Sequence, residues 1–235
     1  PIWSFMWGIS VQEYCYETGD LAFGREVWPM VCKNLEGARS MIDPETGLLR
    51  TLAWNLFDWS KTDCDHPVLL QNSMFLVGAL TAAIELGESL GEPVEAFRGQ
   101  REELKRAINA QWDARKLAWP DSIHADGTVS EDASMHTSML ALLSYAANSE
   151  HVAAARANTV TPRAEHIRVA SPFAALYLYE AFEKIGMADE ILKTIYRDYL
   201  PMLRLGSTTV WETFPAALNT GEFPTRSHCH GWSAA

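Results

Sequence analysis

The apolar residues of this chain recur at helical spacing in segments that come in pairs, and this pairing constrains the fold more than any other feature. Each pair consists of two predicted helices joined by a short turn with glycine, proline or capping residues. The pairs are 10–17 with 21–42, 69–90 with 94–112, 133–147 with 151–157, and 172–185 with 188–203. No alternating run of β-branched residues is long enough to predict a sheet. The sequence therefore predicts an all-α protein built from helical hairpins.

The connections between the pairs are much longer than the turns within them. The segments 43–67 and 113–132 are rich in Trp, Asp, Gly and Pro, and irregular loops of this length in a compact domain are usually functional. This arrangement favours a closed or nearly closed ring, with inner helices around an axis and the loops at one mouth. An open α-solenoid with a binding surface is the alternative that periodicity leaves open.

The composition excludes several classes of partner. The chain has 30 acidic and 19 basic residues, which give a formal net charge of −11. No run of Lys or Arg could hold a polyanion, so neither nucleic acid nor an anionic membrane is an expected partner. Apolar stretches such as 74–86 are broken by Gly78 and Glu85 and fall short of the ~20 residues of a membrane-spanning helix.

Residues 1–235 are predicted to form one domain, because no Gly/Ser-rich or charged linker divides them. The chain begins without a methionine and stops in mid-pattern, so we expect a domain truncated at both ends, with other domains of a parent chain as its partners. Its 4 cysteines are too widely spaced for a zinc ribbon and too few for a disulfide scaffold.

Two segments near the C-terminus carry the strongest functional signal. They are 206–212, GSTTVWE (the acid segment), and 227–233, SHCHGWS (the histidine segment). A carboxylate beside an indole, with histidines nearby, suits sugar cleavage, because a sugar ring stacks on aromatics while carboxyl and imidazole groups handle protons and hydroxyls. Glu212 is the strongest catalytic candidate. The alternative for an isolated Trp-Glu pair is a solvated glutamate.

A second acid and indole pair, Asp58 and Trp59, lies in the loop 43–67. This pair suits sugar binding, because the carboxylate accepts hydrogen bonds from vicinal hydroxyls while the ring covers the C–H face. Alternatively, Asp58 caps a helical turn and Trp59 fills the core. Trp3 and Trp7 share one helical face; they either pack into the core or line a sugar-binding cup, and we include them among the predicted substrate-binding residues.

His228 and His230 flank Cys229, a spacing that raises the question of a metal site. We predict no metal there, since no further His or Cys cluster accompanies them and a catalytic metal typically has three protein ligands. A neutral imidazole that donates to a sugar hydroxyl or orients a carboxylate is the simpler function. No cofactor is implied. The remaining histidines are predicted to be structural or surface residues: His66, His124, His136, His151 and His166.

These motifs, in this order, resemble the catalytic domain of bacterial α-L-rhamnosidases, the six-hairpin glycosidases of glycoside hydrolase family 78. The resemblance runs from end to end of the chain. It is carried by the acid and histidine segments, by 43–48 (DPETGL) with 57–59 (FDW), by 3–7 (WSFMW) with 16–20 (YETGD), and by 170–173 (ASPF). It implies an (α/α)6 barrel, and because four hairpins are predicted here, we expect an incomplete barrel that lacks N-terminal hairpins.

The resemblance also implies a reaction, the inverting hydrolysis of terminal α-L-rhamnosides by one carboxylic acid and one carboxylate. It implies that Glu212 is the general base and that Asp58 and Trp59 line the rhamnose subsite. Trp211 would border this subsite, and His230 would reach the sugar hydroxyls. The family's general acid lies in an acidic motif upstream of the segment matched by Trp3, so we expect weak activity or none from this chain alone. Two alternatives stay open: a six-hairpin glycosidase for another sugar, or an inactive carbohydrate-binding protein.

Overall fold

The computed structural model describes residues 2–215 and 225–234, and these residues form eight α-helices arranged as hairpins. The hairpins are α1 (Ile2–Thr18) with α2 (Leu21–Arg39), α3 (Leu70–Leu90) with α4 (Glu95–Ala110), α5 (Met135–Leu143) with α6 (Ser149–Val160), and α7 (Pro172–Lys184) with α8 (Ala188–Arg204). The predicted pairs are confirmed, except that α1 begins at Ile2 rather than at residue 10. The tryptophans at the start of the chain are therefore helical.

Short capped turns join the helices of a hairpin. Gly19 adopts a left-handed φ of 71° after α1, and the Asp20 side chain then accepts a hydrogen bond from the first turn of α2. Gly91 ends α3 in the same left-handed region, with φ 76°. At the start of α7, the Ser171 side chain caps the helix and Pro172 occupies its first turn.

The long connections between hairpins contain the described β-structure. Two antiparallel strands, β1 (Val68–Leu69) and β2 (Ser122–Ile123), pair Val68 with Ile123 and Leu69 with Ser122. Each strand has only two residues, both buried, which is too short for an alternating pattern to reveal them. The pairing ties the loop before α3 to the loop before α5, so two of the long connections lie side by side.

Helix α3 is the centre of the core. It packs against α1, α2, α4 and α5, and most of its residues are buried. By length and mean hydropathy alone α3 could cross a membrane, contrary to the expectation that the apolar stretches fall short, but 72% of the apolar window lies buried inside the protein. This is the pattern of a core helix. Gly87 allows α2 to approach α3 closely, because a Cβ at this position would lie 2.8 Å from Trp28 Cη2.

The odd-numbered helices form an inner set. Along the chain α1 contacts α3, α3 contacts α5 and α5 contacts α7, and Trp3 of α1 meets Phe173 of α7 with 5.2 Å between ring centroids. All four inner helices line one cavity of about 360 Å³. The described helices thus have the inner and outer layers that the predicted ring requires.

Acidic side chains border this inner cavity. Glu13 lies on α1, Glu85 on α3 and Glu180 on α7. Burial is the main cause that raises the pKa of Glu180 from 4.5 to about 7. The negative charges of Glu13 and Glu183 add to this effect, and the positive charge of Lys184 opposes it. The folded protein therefore holds a proton on Glu180 that the unfolded chain releases at lower pH.

The raised pKa of Glu180 predicts a pH-dependent stability. Because the folded pKa lies above the unfolded one, this group stabilises the fold at acidic pH, and that stability is lost as the pH rises from 4.5 to about 7. Glu180→Gln should therefore raise the melting temperature at pH 8 more than at pH 5. The matched change Glu103→Gln on the exposed face of α4 should show no such difference. If Glu180→Gln changed the melting temperature equally at pH 5 and pH 8, this would contradict the raised pKa of Glu180.

Candidate active site

The acid and histidine segments run alongside each other. The Glu212 amide donates to the Ser227 carbonyl at 2.9 Å, and the His230 amide donates to the Val210 carbonyl at 3.1 Å. Neither segment is helical until the 3₁₀ turn at Gly231–Ser233. These two backbone hydrogen bonds bring the predicted acid and the predicted imidazole to the same place.

Glu212 lies among basic groups. Its carboxylate oxygen Oε1 is 3.9 Å from His230 Nε2 and 4.0 Å from Arg226 Nε. Its side chain is only 12% exposed. The Arg226 guanidinium in turn lies 3.7 Å from the centre of the Trp59 ring, a cation–π contact. The acid segment is thereby connected to the loop that carries Trp59.

Aromatic rings surround Trp232, at the end of the histidine segment. Its ring stacks on Phe173 with centroids 5.0 Å apart and planes 5° apart. Trp59 lies 6.3 Å from Trp232, Trp3 lies 6.4 Å from it, and His230 lies 5.0 Å from it. We call these five residues the aromatic cluster. It collects side chains from the loop 43–67, from α1, from α7 and from the histidine segment.

Three ring nitrogens of the aromatic cluster are buried without a hydrogen-bond partner among the residues that the structure describes. They are Trp59 Nε1, Trp232 Nε1 and His230 Nδ1. Buried polar groups in proteins are nearly always hydrogen-bonded, and exceptions often mark functional sites. Indole N–H groups can only donate, so this cluster is suited to a ligand rich in oxygen acceptors.

The hydrogen bonds of the Asp58 carboxylate hold the loop that carries Trp59 in place. Its Oδ1 accepts from Ser171 Oγ at 2.5 Å and from the Trp59 amide at 2.8 Å. Its Oδ2 accepts from the Ala170 amide at 2.7 Å and lies 2.7 Å from His136 Nε2. A carboxylate has about four lone-pair sites, so protein groups occupy all of them. That Asp58 accepts hydrogen bonds directly from sugar hydroxyls stays a prediction; the contacts that the structure describes join it to other parts of the protein.

The other predicted site residues lie at different depths. Trp211 is buried, packs with Phe214 and Met202, and has its ring 5.0 Å from His228. Trp3 and Trp7 are 44% and 39% exposed, and Trp7 lies one turn further along α1. The structure therefore brings Glu212, Trp59, His230 and Trp3 together, and places Trp211 in the packing beside Glu212.

Sequence reasoning did not single out three residues of this region. Arg226 lies in an irregular stretch with no periodicity, and its proximity to Glu212 and Trp59 is purely tertiary. His136 was predicted to be structural or surface; it is buried and bonded to Asp58. Phe173 belongs to the motif 170–173, and its position one residue after the helix-starting proline could have indicated a fixed orientation.

A cavity of about 510 Å³ adjoins the cluster along the loop 43–67. Its volume lies within the range of small-molecule sites, which is roughly 300–1,000 Å³. The lining combines rings with polar side chains and includes Trp54, Asn55, Asp58, Trp59, Asp65 and His66. Trp54 is 74% exposed. The region thus offers both a stacking surface and a recess.

The whole chain, residues 1–235, matches the family model described as the bacterial alpha-L-rhamnosidase 6 hairpin glycosidase domain. The chain belongs to this family. The resemblance inferred from its motifs is confirmed, and the eight described helices match the six-hairpin region of rhamnosidases. Membership of this family favours a ring of helical hairpins over an open α-solenoid.

Two solved rhamnosidases have similar structures. The family 78 rhamnosidase of Bacillus sp. GL1 is 36% identical, with a TM-score of 0.93 over 98% of this chain and 25% of that one. A rhamnosidase from Klebsiella oxytoca, solved with rhamnose bound, is 23% identical, with a TM-score of 0.80 over 99% of this chain and 45% of that one. This rhamnosidase domain thus spans only 25% to 45% of the length of these relatives.

The same fold occurs in a glycosidase of another specificity. The family 63 mannosylglycerate hydrolase from Thermus thermophilus is 12% identical, with a TM-score of 0.68 over 96% of this chain and 73% of that one. At that identity the likeness shows the fold alone. None of the curated proteins matches this rhamnosidase domain.

Proposed function

We propose that this domain takes part in the inverting hydrolysis of terminal α-L-rhamnosides, with Glu212 as the general base. The observation that carries the proposal is the position of Glu212: a largely buried carboxylate 3.9 Å from His230 Nε2 and connected through Arg226 to the aromatic cluster. Membership of the rhamnosidase family supports rhamnose as the sugar and hydrolysis as the reaction.

The geometry around Glu212 suits a base that activates water. At 3.9 and 4.0 Å, His230 and Arg226 are too distant for direct hydrogen bonds to Oε1. That oxygen can then accept a hydrogen bond from a water. In the proposed step Glu212 takes a proton from this water while the oxygen of the water attacks the anomeric carbon. The glycosidic bond breaks on the opposite side of that carbon, and the general acid protonates the departing oxygen. His230 and Arg226 lie close enough to orient the Glu212 carboxylate and this water by donating hydrogen bonds.

The aromatic cluster is proposed to bind the sugar. A rhamnose ring has an apolar C–H face and a methyl group, which suit the indoles of Trp59 and Trp232. Its hydroxyl oxygens could accept from the two indole N–H groups that lack described partners. His230 could bond the same hydroxyls. Asp58 would contribute indirectly, by holding Trp59 against the start of α7.

An inverting site needs a second carboxyl group, about 6.5–9.5 Å from the base. We propose that the full-length protein supplies this general acid from outside these 235 residues, as the family resemblance implies. Little or no hydrolysis is then expected from this chain by itself. Activity assays therefore require the full-length protein.

Another sugar is the second candidate, because a mannosylglycerate hydrolase shares the fold and a fold does not fix a substrate. The test is to assay the full-length protein on a panel of aryl glycosides. The proposal predicts the highest kcat/KM for the α-L-rhamnoside. A higher value for another sugar would overturn the substrate, and sugar binding without turnover of any member would indicate a carbohydrate-binding protein.

Trp59 gives a specific test of sugar stacking. Trp59→Ala removes the stacking face and the Arg226 contact, so L-rhamnose should bind about tenfold more weakly or worse, since about 1.4 kcal/mol corresponds to tenfold. Trp59→Phe keeps a ring but loses the N–H group and should have an intermediate affinity. Calorimetric titration with L-rhamnose measures both. Unchanged affinity in Trp59→Ala would remove Trp59 from the subsite.

A further inference from the structure

A second group of chemically active side chains lies beside the 510 Å³ cavity, which His66 lines. Asp63 Oδ1 is 2.8 Å from His66 Nε2, and Asp63 Oδ2 is 2.8 Å from His124 Nε2. The two imidazoles are stacked, with centroids 3.6 Å apart and planes 13° apart. Each ring thus presents its Nε2 atom to the carboxylate of Asp63. One ligand atom from each residue lies within 4.8 Å of the other two.

Neighbouring hydroxyl groups fix the carboxylate of this cluster. Ser122 Oγ donates to Asp63 Oδ2 at 2.8 Å. Ser130 and His124 also hydrogen-bond to this carboxylate. Hydrogen bonds that orient a ligating carboxylate are typical of metal sites.

We propose that Asp63, His66 and His124 bind a divalent transition metal, with zinc as the expected ion. Two imidazole nitrogens and one carboxylate form a donor set that suits zinc and related metals rather than calcium or magnesium, which prefer oxygen ligands. Each histidine would bind the ion through Nε2 as a neutral imidazole that carries its proton on Nδ1. The side chains are 21–31% exposed, so an ion can enter from solvent and a water can complete the coordination.

The three ligands come from two different loops, so a bound ion would have a structural function. Asp63 and His66 belong to the loop 43–67, which carries Trp59, whereas His124 directly follows β2. An ion would cross-link these two loops beside the β1–β2 pairing, and His66 itself lines the cavity next to Trp59. The metal would therefore stabilise the wall of the cavity without contacting Glu212. This site is separate from the His228 and His230 pair, for which the sequence predicted no metal.

The test is calorimetric titration of the EDTA-treated chain with zinc chloride. We expect one zinc ion per chain with a dissociation constant in the micromolar range or tighter, and no comparable binding of calcium. His66→Gln and His124→Gln should each weaken zinc binding by about 100-fold or more, since even loss of an outer-shell partner costs about 10–100-fold. The matched control His228→Gln should bind zinc like the wild type.

Two results would overturn the site. One is the absence of zinc binding to the wild-type chain, which would leave the cluster as a hydrogen-bonded Asp–His network only. The other is unchanged affinity in His66→Gln and His124→Gln. If these variants do not fold, as judged by circular dichroism, X-ray absorption of the zinc-bound wild type decides. Nitrogen and oxygen ligands at roughly 2.0–2.2 Å with two imidazoles support the site, whereas a sulfur at about 2.3 Å would place the ion at Cys229 or another cysteine. No readout depends on glycoside hydrolysis.

Discussion

Glu212→Gln in the full-length protein should reduce kcat/KM for an aryl α-L-rhamnoside by about 10²–10⁴-fold, the usual contribution of general base catalysis. Glutamine has nearly the same shape as glutamate but cannot take a proton from the attacking water. The affinity for L-rhamnose should change little, because the aromatic cluster remains intact. Steady-state kinetics together with calorimetric titration of the sugar separate the two effects.

A matched control makes the Glu212 result specific. Glu150 lies at the start of α6, and its side chain is 72% exposed, so Glu150→Gln should hydrolyse the substrate at the wild-type rate. Wild-type hydrolysis by Glu212→Gln would refute the base assignment. A loss of sugar affinity as large as the loss of kcat/KM would instead place Glu212 in binding rather than in proton transfer.

Asp58→Asn should destabilise the fold by about 2–4 kcal/mol, because each hydrogen bond to a charged group contributes about 1.5–3 kcal/mol and the losses are not additive. The carboxylate accepts from the Trp59 and Ala170 amides and from Ser171 Oγ, and it contacts His136. An asparagine would set its own N–H₂ group against at least one of these donors. Urea denaturation followed by circular dichroism measures the change.

The same substitution should weaken L-rhamnose binding, since the loop that carries Trp59 loses its attachment to α7. The control Asp126→Asn changes an exposed aspartate that caps a local turn, and it should have little effect on either property. Wild-type stability of Asp58→Asn would show that the buried hydrogen bonds are dispensable. Full stability with lost sugar binding would instead favour direct contact between Asp58 and the sugar.

The helices could be predicted from the sequence because their signals are local. Apolar spacing defines each helix, and Gly19, Asp20 and Gly91 mark the turns within a few residues of the helix ends. The start of α1 was predicted too late, because its polar and apolar residues show little segregation to opposite faces. The strands β1 and β2 were missed because two buried residues have no period.

The site was predictable only where its residues lie in motifs. Glu212 and His230 belong to two distinctive segments, and the structure pairs those segments. The hydrogen bonds by which Asp58 holds its loop were not predictable, since its partners Ala170 and His136 are 112 and 78 residues away in sequence. The cluster of Asp63, His66 and His124 was missed for the same reason: 61 residues separate Asp63 from His124. Such contacts depend on how the long loops fold back.

A crystal structure of the full-length protein with L-rhamnose is the sharpest test of Glu212 as the general base. One pyranose should lie against Trp59 and Trp232, with His230 at hydrogen-bond distance from its hydroxyls and the Glu212 carboxylate facing the anomeric carbon across a water. A pyranose bound elsewhere, with Glu212 and the aromatic cluster untouched, would contradict it.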